Sequence, residues 1–260
     1  MARDAQRQPT DPSTRDIALS RAALFLDLDG TLAAFEATPD EVVADPRRTA
    51  LLRRLSEALD GRLAIISGRP VQDIDRIVEG SCAFAAGVHG LERRGAAGHA
   101  AAAAHPELAA TEAVLRAFAE ARPGLLIESK ALSVALHYRG APELMEEART
   151  LARRLAHATG LKLQEGDRVV ELRTPGADKG HALLAFMAED PFAGSVPIFV
   201  GDDLTDEDAF AAATSLGGLG VLVGPARPTA AAARLPHVAG VLDWLDRSAG
   251  SGVFSIEVPA

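Results

Sequence analysis

Short apolar runs alternate with longer segments whose apolar residues recur at helical spacing along most of the chain. The short runs predict strands at residues 24–26, 63–66, 82–85, 196–200 and 221–223. The helical spacing predicts helices at residues 46–59, 71–78 and 182–187. Apolar strands separated by helices are typical of a parallel sheet with helices on both faces, so we expect an α/β core.

The middle of the chain follows a different order of elements. Helices are predicted at residues 107–122 and 142–159, and strands at residues 125–128, 133–137, 161–164 and 168–172. Gly160 is expected to end the second helix, and residues 165–167 carry a hairpin turn signal. The order helix, strand, strand occurs twice, which indicates a smaller α/β module inserted between the halves of the sheet. The small-residue tract at residues 95–105 is either a loose linker or the start of a frayed helix.

Composition and charge narrow the possible partners. The net charge of −9 argues against general binding of nucleic acid or of anionic membranes. No apolar stretch is long enough to span a bilayer, so no membrane partner is expected. The single cysteine, Cys82, excludes an intrachain disulfide and suits a reducing cytoplasm. We therefore expect a cytoplasmic protein.

Polar residues follow three of the predicted strands at the point where each strand ends. The first strand is followed by Asp27 and Asp29, which alternation along a strand aims at one point. The clusters after the later strands contain Ser67, Asp202, Asp203 and Asp206. Ligands bind at the carboxyl ends of strands in such sheets, so the clusters are expected to converge.

The charges of these clusters predict a chemistry. Several carboxylates around one point require a cation, and hard oxygen ligands favour Mg²⁺. Lys179, just before a predicted helix, supplies a further positive charge. A carboxylate, a cation, a lysine and a hydroxyl together are what phosphoryl transfer needs.

Each residue also has a structural interpretation. The Asp-Gly pair after the first strand suits an ordinary turn, Ser67 could cap a helix, and Lys179 could be a solvated surface residue. Thr205 as an N-cap, followed by acids in the first turn, would stabilise a helix without any catalytic role. We favour this structural interpretation for Asp203, Glu207 and Asp208.

The strings Asp-x-Asp-Gly-Thr, Ser-Gly-Arg, Lys-Gly and Gly-Asp-Asp occur in this order. Over about residues 24–246 they resemble the four motifs of the haloacid dehalogenase (HAD) superfamily of phosphotransferases. The resemblance implies a Rossmann-like parallel-sheet core with an inserted α/β cap domain that closes over the substrate. It implies that Asp27 is the nucleophile, that Asp29 is the general acid and base, and that Lys179 stabilises charge.

The same resemblance implies the binding residues and the cofactor. The implied phosphate-binding set is Asp27, Leu28, Asp29, Thr31, Ser67, Gly68 and Lys179. The implied ligands of a Mg²⁺ cofactor are Asp27, Asp29 through its main-chain carbonyl, Asp202 and Asp206.

Domain limits follow from this assignment. The core is expected at residues 21–104 and 175–247, and the cap at residues 105–174. Residues 1–20 are polar and lack the apolar core of a signal peptide, so we expect a disordered lead-in. Residues 248–260 begin with small polar residues and are expected to form a flexible tail.

Short sequence strings in and around the predicted cap indicate one family within the HAD superfamily. Glu-x-Lys at residues 128–130, His-Tyr-Arg at 137–139, Glu-x-Arg at 171–173, and segments 87–92 and 201–210 resemble trehalose-6-phosphate phosphatases. This resemblance implies that the sugar is bound by Glu128, Lys130, Arg139 and Glu171. The alternative is that these charges form ordinary ion pairs on an exposed sheet. One departure is Thr174, which stands where the family often has proline.

The resemblance implies a phosphoric monoester hydrolase with a small-molecule substrate. The implied reaction is Mg²⁺-dependent hydrolysis of trehalose 6-phosphate through an aspartyl-phosphate, the last step of trehalose biosynthesis, and we expect a monomer. The alternatives are a sucrose-phosphate or mannosyl-glycerate phosphatase, a phosphomannomutase, or an inactive sugar-phosphate sensor. A sensor would be expected to lack Asp27, Asp29 or Lys179, and all three are present.

Overall fold

The computed structural model describes residues 13–36, 38–166 and 168–258. The chain divides into two compact units, a core unit made of residues 1–98 and 178–260 and an inserted unit made of residues 99–177. Within the described residues, no helix has the length and apolar character needed to cross a membrane.

The elements of the described residues are fourteen strands and seven α-helices. The strands are β1 (Ser13–Ala18), β2 (Ala22–Leu26), β3 (Leu63–Ile66), β4 (Phe84–Gly87), β5 (Glu92–Gly95), β6 (Gly98–Ala101), β7 (Leu126–Ser129), β8 (Ser133–His137), β9 (Lys162–Gly166), β10 (Val169–Arg173), β11 (Val196–Gly201), β12 (Leu219–Val223), β13 (Ala233–Leu235) and β14 (Val253–Val258). The helices are α1 (Pro46–Ala58), α2 (Val71–Val78), α3 (Leu108–Glu120), α4 (Met145–Thr159), α5 (Lys179–Met187), α6 (Glu207–Ser215) and α7 (Val238–Ser251).

A parallel sheet forms the centre of the core unit, as the apolar strands predict. Its strand order is β13-β12-β11-β2-β3-β4, and β5 joins β4 antiparallel. Strand β2 lies in the middle, where Leu26 pairs with Val200 of β11 and with Ile65 of β3. The third strand begins at Phe84 rather than at Cys82, two residues later than predicted.

Helices cover both faces of this sheet because alternate strand residues face opposite sides. Leu24 and Leu26 belong to one apolar cluster, which includes residues of α1, α2 and α7. Phe25 belongs to the other cluster, together with Phe186 of α5 and Phe210 of α6. The carboxyl end of β2 is thereby fixed between two packed layers, and the first aspartate motif follows it directly.

The predicted lead-in and tail are wrong for the residues that the structure describes. Strand β1 pairs antiparallel with β14, so segments near the two ends of the chain form a two-stranded sheet. Ile17 and Phe254 face each other in this pair and are buried in the core, while α7 extends to Ser251. Burial of these side chains orders both segments. Residues 1–12 and 259–260 lie outside the described residues.

The inserted unit contains a four-stranded antiparallel sheet with the order β7-β8-β10-β9. The predicted order of helix, strand, strand, repeated once, is confirmed, and Gly160 ends α4 with a φ of 81°. A short 3-10 turn replaces the first residues of the predicted second helix. Asp167 of the predicted hairpin turn lies outside the described residues. One face of the sheet supplies Val134, Leu136, Val170 and Leu172 to a cluster with residues of α3 and α4.

The small-residue tract contains a strand and a short connection, and no part of it is a frayed helix. Residues 102–105 have no regular secondary structure, so the linker interpretation holds only for them. Strand β5 ends at Gly95, a turn follows at residues 96–97, and β6 begins at Gly98. Gly98 has a φ of +104°, a backbone conformation that glycine adopts without steric cost. Alanine has a low strand propensity, so composition alone did not indicate this strand.

Candidate active site

The ammonium of Lys179 bridges two buried carboxylates at the carboxyl end of the core sheet. Its Nζ lies 2.9 Å from Asp27 Oδ1 and 2.7 Å from Asp206 Oδ1, and the lysine side chain is 2% exposed. Lys179 begins α5, whose N-cap residue Asp178 accepts a hydrogen bond from the His181 amide. Asp27 follows β2 and donates its amide N–H to the carbonyl of Val200. The surface interpretation of Lys179 is therefore wrong.

Asp206 also fixes the turn that follows β11. Its Oδ2 accepts the backbone N–H of Asp202 at 2.8 Å and that of Asp203 at 3.0 Å. Asp203, not Thr205, is the N-cap of the short 3-10 turn (Leu204–Asp206) that precedes α6, and its carboxylate accepts both the amide and the hydroxyl of Thr205. The structural role predicted for Asp203 is confirmed, while the capping role predicted for Thr205 is wrong.

Glu207 also stabilises the local structure. Its carboxylate accepts hydrogen bonds from Arg227, from the hydroxyl of Thr229 and from the amide of Ala230. Arg227 in turn donates to the carbonyl of Asp203 at 2.7 Å. These contacts hold the turn after β11 from the outside, as the structural interpretation of Glu207 predicts.

Three carboxylates of this site are close enough to share one cation. One oxygen each of Asp27, Asp202 and Asp206 lies within 4.8 Å of the others. Burial raises the pKa of Asp27 and that of Asp206, and burial with the neighbouring charges of Asp206 and Asp203 raises the pKa of Asp202 to about 7. Burial lowers the pKa of Lys179, but the charges of Asp206 and Asp27 raise it more.

The cluster contains the carboxylates of Asp27, Asp202 and Asp206 but only one ammonium, so it has more potential negative charge than Lys179 alone neutralises. A divalent cation would relieve this excess, and a set of carboxylate oxygens is the donor type that Mg²⁺ prefers. The residues present therefore fit the Mg²⁺ that the sequence predicts.

Gly30 allows the first motif and the turn after β11 to approach each other. It has a φ of +77°, and a Cβ at this position would lie 2.2 Å from a carboxylate oxygen of Asp202. No side chain fits there, so the glycine is required both by its backbone conformation and by the close approach.

Asp29 is held by a residue that the predicted site did not include. The guanidinium of Arg69 contacts both of its oxygens, with distances of 2.7 Å from Nε to Oδ2 and 2.8 Å from Nη2 to Oδ1. Arg69 lies in the loop after β3 and also donates to the carbonyl of Pro39. The available signal was the arginine in the Ser-Gly-Arg string, of which only Ser67 and Gly68 were taken as site residues.

The predicted phosphate-binding residues surround the first and second motifs. The hydroxyl of Thr31 is buried and has no hydrogen-bond partner among the described residues. Leu28 is buried, and its carbonyl accepts the amides of Leu32 and Ala33. The hydroxyl of Ser67 accepts the amide of Arg69 at 3.2 Å within the loop after β3. Ser67 does not cap a helix, because α2 begins at Val71 after the N-cap residue Pro70, so the capping interpretation is wrong. A buried hydroxyl without a partner is unfavourable, so Thr31 is suited to a phosphate oxygen.

A second residue absent from the predicted site is His89. A Cβ on Gly68 would lie 2.7 Å from two atoms of the His89 ring, so the ring occupies the space beside this glycine. Val88 and His89 both have positive φ values, 46° and 55°, which bulky residues rarely adopt. Strain of this kind is concentrated at functional sites. The signal in the sequence was the segment at residues 87–92.

The inserted unit brings three of the four predicted sugar-binding residues together. Lys130 Nζ lies 3.6 Å from Glu128 Oε1 and 3.4 Å from Glu171 Oε1. These side chains form ion pairs with one another, as the alternative interpretation predicts, but they are only 9–29% exposed. Their role in binding sugar stays a prediction. Arg139 lies exposed beyond the end of β8, and its role in binding sugar stays a prediction.

Comparison with known proteins agrees with this geometry. A family model described as trehalose-phosphatase matches residues 25–238. The chain is 41% identical over 241 residues to the trehalose-6-phosphate phosphatase of Escherichia coli (strain K12), covering 91% of this chain and 90% of that protein. It is 40% identical to a probable trehalose-phosphate phosphatase of Sinorhizobium fredii, covering 82% of each.

Solved structures share the fold. The crystal structure of a trehalose-6-phosphate phosphatase related protein has a TM-score of 0.75 and 27% identity, and the match covers 88% of this chain and 97% of that one. The C-terminal domain of Candida albicans trehalose-6-phosphate phosphatase has a TM-score of 0.80 and 22% identity, covering 89% and 93% of the two chains. The predicted α/β fold with a HAD-type core is confirmed. The chain belongs to the trehalose-phosphatase family.

Proposed function

We propose that this protein is a Mg²⁺-dependent phosphatase that converts trehalose 6-phosphate to trehalose and inorganic phosphate. The observation that carries the proposal is the contact of Lys179 with Asp27 and Asp206, with Asp202 beside them. A buried nucleophile next to a fixed positive charge is what attack on a phosphate dianion requires. Membership of the trehalose-phosphatase family supplies the substrate.

Asp27 is the nucleophile in this proposal. Lys179 contacts one of its oxygens, and we assign the attack on phosphorus to the other. A bond forms between that oxygen and phosphorus while the bond to the sugar oxygen breaks. The product of this step is an aspartyl-phosphate, and Lys179 balances the charge of the transferred group.

Asp29 moves the protons of both steps. It gives a proton to the departing sugar oxygen, and it then takes a proton from the water that attacks the aspartyl-phosphate. This second step releases inorganic phosphate and restores the carboxylate of Asp27. Between turnovers, Arg69 binds both Asp29 oxygens and holds this group as a carboxylate. Asp29 must therefore leave this contact and take up a proton before the first step, and the attacking water of the second step returns the proton.

The phosphate and the cation are held by the residues around the first strand. We assign phosphate oxygens to Thr31, Ser67, Lys179 and the backbone of residues 28–29 and 68. The residues that would hold Mg²⁺ are Asp27, Asp202, Asp206 and the carbonyl of Asp29. When bound, the cation would neutralise phosphate charge and the excess negative charge of the carboxylates.

The sugar is recognised by the inserted unit in this proposal. Glu128 and Glu171 accept hydrogen bonds from sugar hydroxyl groups, Lys130 donates one, and Arg139 adds a further polar contact. The contacts of Lys130 with both glutamates, in a largely buried cluster, support this assignment. Carboxylates favour neutral hydroxyls over phosphate, so the cluster selects the sugar end of the substrate.

We also propose that the enzyme acts as a monomer in the cytoplasm. Cys82 is free and buried, and burial raises the pKa of its thiol to about 12, so it stays protonated. A free thiol supports a reducing compartment. Size-exclusion chromatography with light scattering tests the monomer, and a dimer mass at micromolar concentration would contradict it.

Phosphate release from a panel of sugar phosphates tests the function. The panel contains trehalose 6-phosphate, sucrose 6-phosphate, glucose 6-phosphate and mannosyl-glycerate phosphate, each with Mg²⁺ and with EDTA. We expect metal-dependent release with a strong preference for trehalose 6-phosphate, and no turnover by Asp27→Asn. Release without this preference would overturn the substrate, and release by Asp27→Asn at the normal rate would overturn the nucleophile.

A further inference from the structure

Strand β8, one of the two central strands of the inserted sheet, carries two polar residues on the same face as two glutamates of its neighbouring strands. Residues directly opposite each other on paired strands share a face. Ala135 of β8 is opposite Glu128 on one side and opposite Glu171 on the other. Ser133 and His137 lie two residues before and after Ala135, so alternation places them on the same face. The two glutamates thus flank Ala135 across the sheet, and Ser133 and His137 flank it along the strand.

Each glutamate is bonded to one of these side chains. The hydroxyl of Ser133 donates to Glu171 Oε1 at 2.5 Å, and neither residue is more than 7% exposed. His137 Nε2 lies 2.9 Å from Glu128 Oε2, and it is the donor because a carboxylate only accepts. One oxygen of each glutamate is therefore fixed from the same strand.

The side chain between the glutamates is small. Ala135 has only a methyl group, and the Cα atoms of Glu128 and Glu171 lie on the two strands beside it, about 10 Å apart by strand spacing. Lys130 reaches both carboxylates across this interval. The two carboxylates and the ammonium therefore lie on the same face of the sheet, and only the methyl group of Ala135 lies between the two glutamates.

The charges of the cluster suit neutral hydroxyl groups. The two glutamates are balanced by Lys130 and by Arg173, which is directly opposite Ser133 and therefore on the same face, when His137 is neutral. Burial raises the pKa of Glu128, but the hydrogen bond from His137 and the charge of Lys130 lower it more, so this carboxylate stays ionised. Ionised carboxylates accept strong hydrogen bonds from hydroxyls and repel phosphate.

We propose that Ser133 and His137 are positioning residues that hold Glu171 and Glu128 in the orientation that recognises two hydroxyl groups of the sugar. This inference rests on the proposed function, because it requires that the sugar binds to the glutamates. Without its donor, each glutamate can rotate away, so the loss appears in binding of the sugar and not in the chemistry of the phosphate.

The experiment compares two substrates in variants of the full chain. Ser133→Ala removes one donor, and His137→Leu removes the other, while His137→Gln keeps an N–H donor near the position of Nε2. KM and kcat are measured with Mg²⁺ for trehalose 6-phosphate and for p-nitrophenyl phosphate, which has no sugar. Inhibition of p-nitrophenyl phosphate hydrolysis by trehalose gives a second readout of sugar binding.

We expect KM for trehalose 6-phosphate to rise roughly tenfold in Ser133→Ala and His137→Leu, as for one lost hydrogen bond to a charged group. The inhibition constant of trehalose should rise equally, and His137→Gln should restore most of both losses. KM and kcat for p-nitrophenyl phosphate should not change. Ser129→Ala is the matched control, because Ser129 pairs with Val134 and lies on the opposite face.

Several results would overturn the inference. Equal losses on both substrates would make Ser133 and His137 structural residues, and an unchanged KM for trehalose 6-phosphate would make them unimportant. Failure of His137→Gln to restore binding would exclude the donor role. If circular dichroism shows that Ser133→Ala does not fold, the comparison of His137→Leu with His137→Gln tests the inference. A wild-type enzyme without trehalose 6-phosphatase activity would instead overturn the proposed function, and this inference with it.

Discussion

The guanidinium of Arg69 binds both carboxylate oxygens of Asp29, with distances of 2.7 Å from Nε to Oδ2 and 2.8 Å from Nη2 to Oδ1. The arginine side chain is 10% exposed and the aspartate side chain 25%. Paired, two-point contacts of this kind define orientation as well as charge. Between turnovers, the group assigned to proton transfer is thus held in one place by a residue from the second motif, and it must leave this contact to carry a proton.

Replacement of Arg69 should affect substrates according to their leaving group. We expect Arg69→Ala to lower kcat for trehalose 6-phosphate at least tenfold, because the sugar oxygen needs a proton from a correctly oriented Asp29. The first step with p-nitrophenyl phosphate should be nearly unaffected, because nitrophenolate leaves without a proton. Burst kinetics on both substrates measure this step. Arg69→Lys keeps the charge without the two-point contact, so it should recover little of the lost kcat. Equal loss of the burst rate on both substrates would contradict the assignment of Asp29 as the proton donor to the sugar oxygen.

Loss of Lys179 should weaken the fold as well as the reaction. Lys179→Met leaves Asp27 and Asp206 buried without their shared partner, so we expect the free energy of unfolding to fall by about 3–5 kcal/mol at pH 7 without metal. The deficit should shrink at pH 5, because burial raises the pKa of both carboxyls and they become neutral more easily. Urea unfolding of the wild type and of Lys179→Met at both pH values measures the loss in free energy of unfolding. An equal loss at both pH values would contradict the explanation by unpaired buried carboxylates.

Stabilisation by Mg²⁺ should increase with pH. The pKa of Asp202 is raised from 3.8 to about 7, so the folded protein binds this proton more tightly than the unfolded chain does. Without metal, the stability contributed by this group therefore falls as pH rises from about 4 to about 7. Mg²⁺ binds the ionised carboxylates, so its effect on Tm should be larger at pH 8 than at pH 5.5.

Differential scanning calorimetry with Mg²⁺ and with EDTA measures this difference at each pH. Asp202→Asn should remove most of the increase at pH 8. A Tm increase that is the same at both pH values would argue against a carboxylate site for the cation.

Gly30 should tolerate no side chain. Gly30→Ala adds a Cβ that would lie 2.2 Å from Asp202, so we expect loss of turnover and of the Tm increase caused by Mg²⁺. Gly80→Ala is the matched control, because Gly80 also has a positive φ, +63°, but has nothing within 4 Å of the added carbon. The control should cost about 1 kcal/mol of stability and leave activity intact. Equal effects of the two changes would attribute the Gly30 phenotype to backbone conformation alone.

Lys130 should matter for the sugar and not for the phosphate. It contacts Glu128 and Glu171 in the inserted unit, so Lys130→Ala should reduce kcat/KM for trehalose 6-phosphate by at least tenfold. Turnover of p-nitrophenyl phosphate by the same variant should remain near the wild-type rate. Steady-state kinetics on both substrates test this, and parallel losses would mean that the cluster does not recognise sugar.

Much of the fold and of the site was visible in the sequence because its signals are local. A buried parallel strand is a short apolar run, and an amphipathic helix shows an apolar stripe, so most elements of the parallel sheet and of the inserted unit were predicted to within a few residues. The elements that were not predicted are β1, β5, β6, β13, β14 and α7. Asp27, Ser67 and Asp202 each follow such a strand directly. Parallel strands end at the same edge of a sheet, so the sequence also indicated that these residues converge.

Contacts between distant segments were decided by the tertiary structure alone. Arg69 meets Asp29 across 40 positions of sequence, and Glu92 of β5 accepts the amide of Val71 at the start of α2, where Pro70 offers no capping side chain. Strand β1 finds its partner strand, β14, near the other end of the chain. Local patterns determine which segments are strands or helices because hydrophobic periodicity is a property of neighbours. Side-chain partners and the pairing of the chain ends depend on packing, which brings together groups that no local pattern connects.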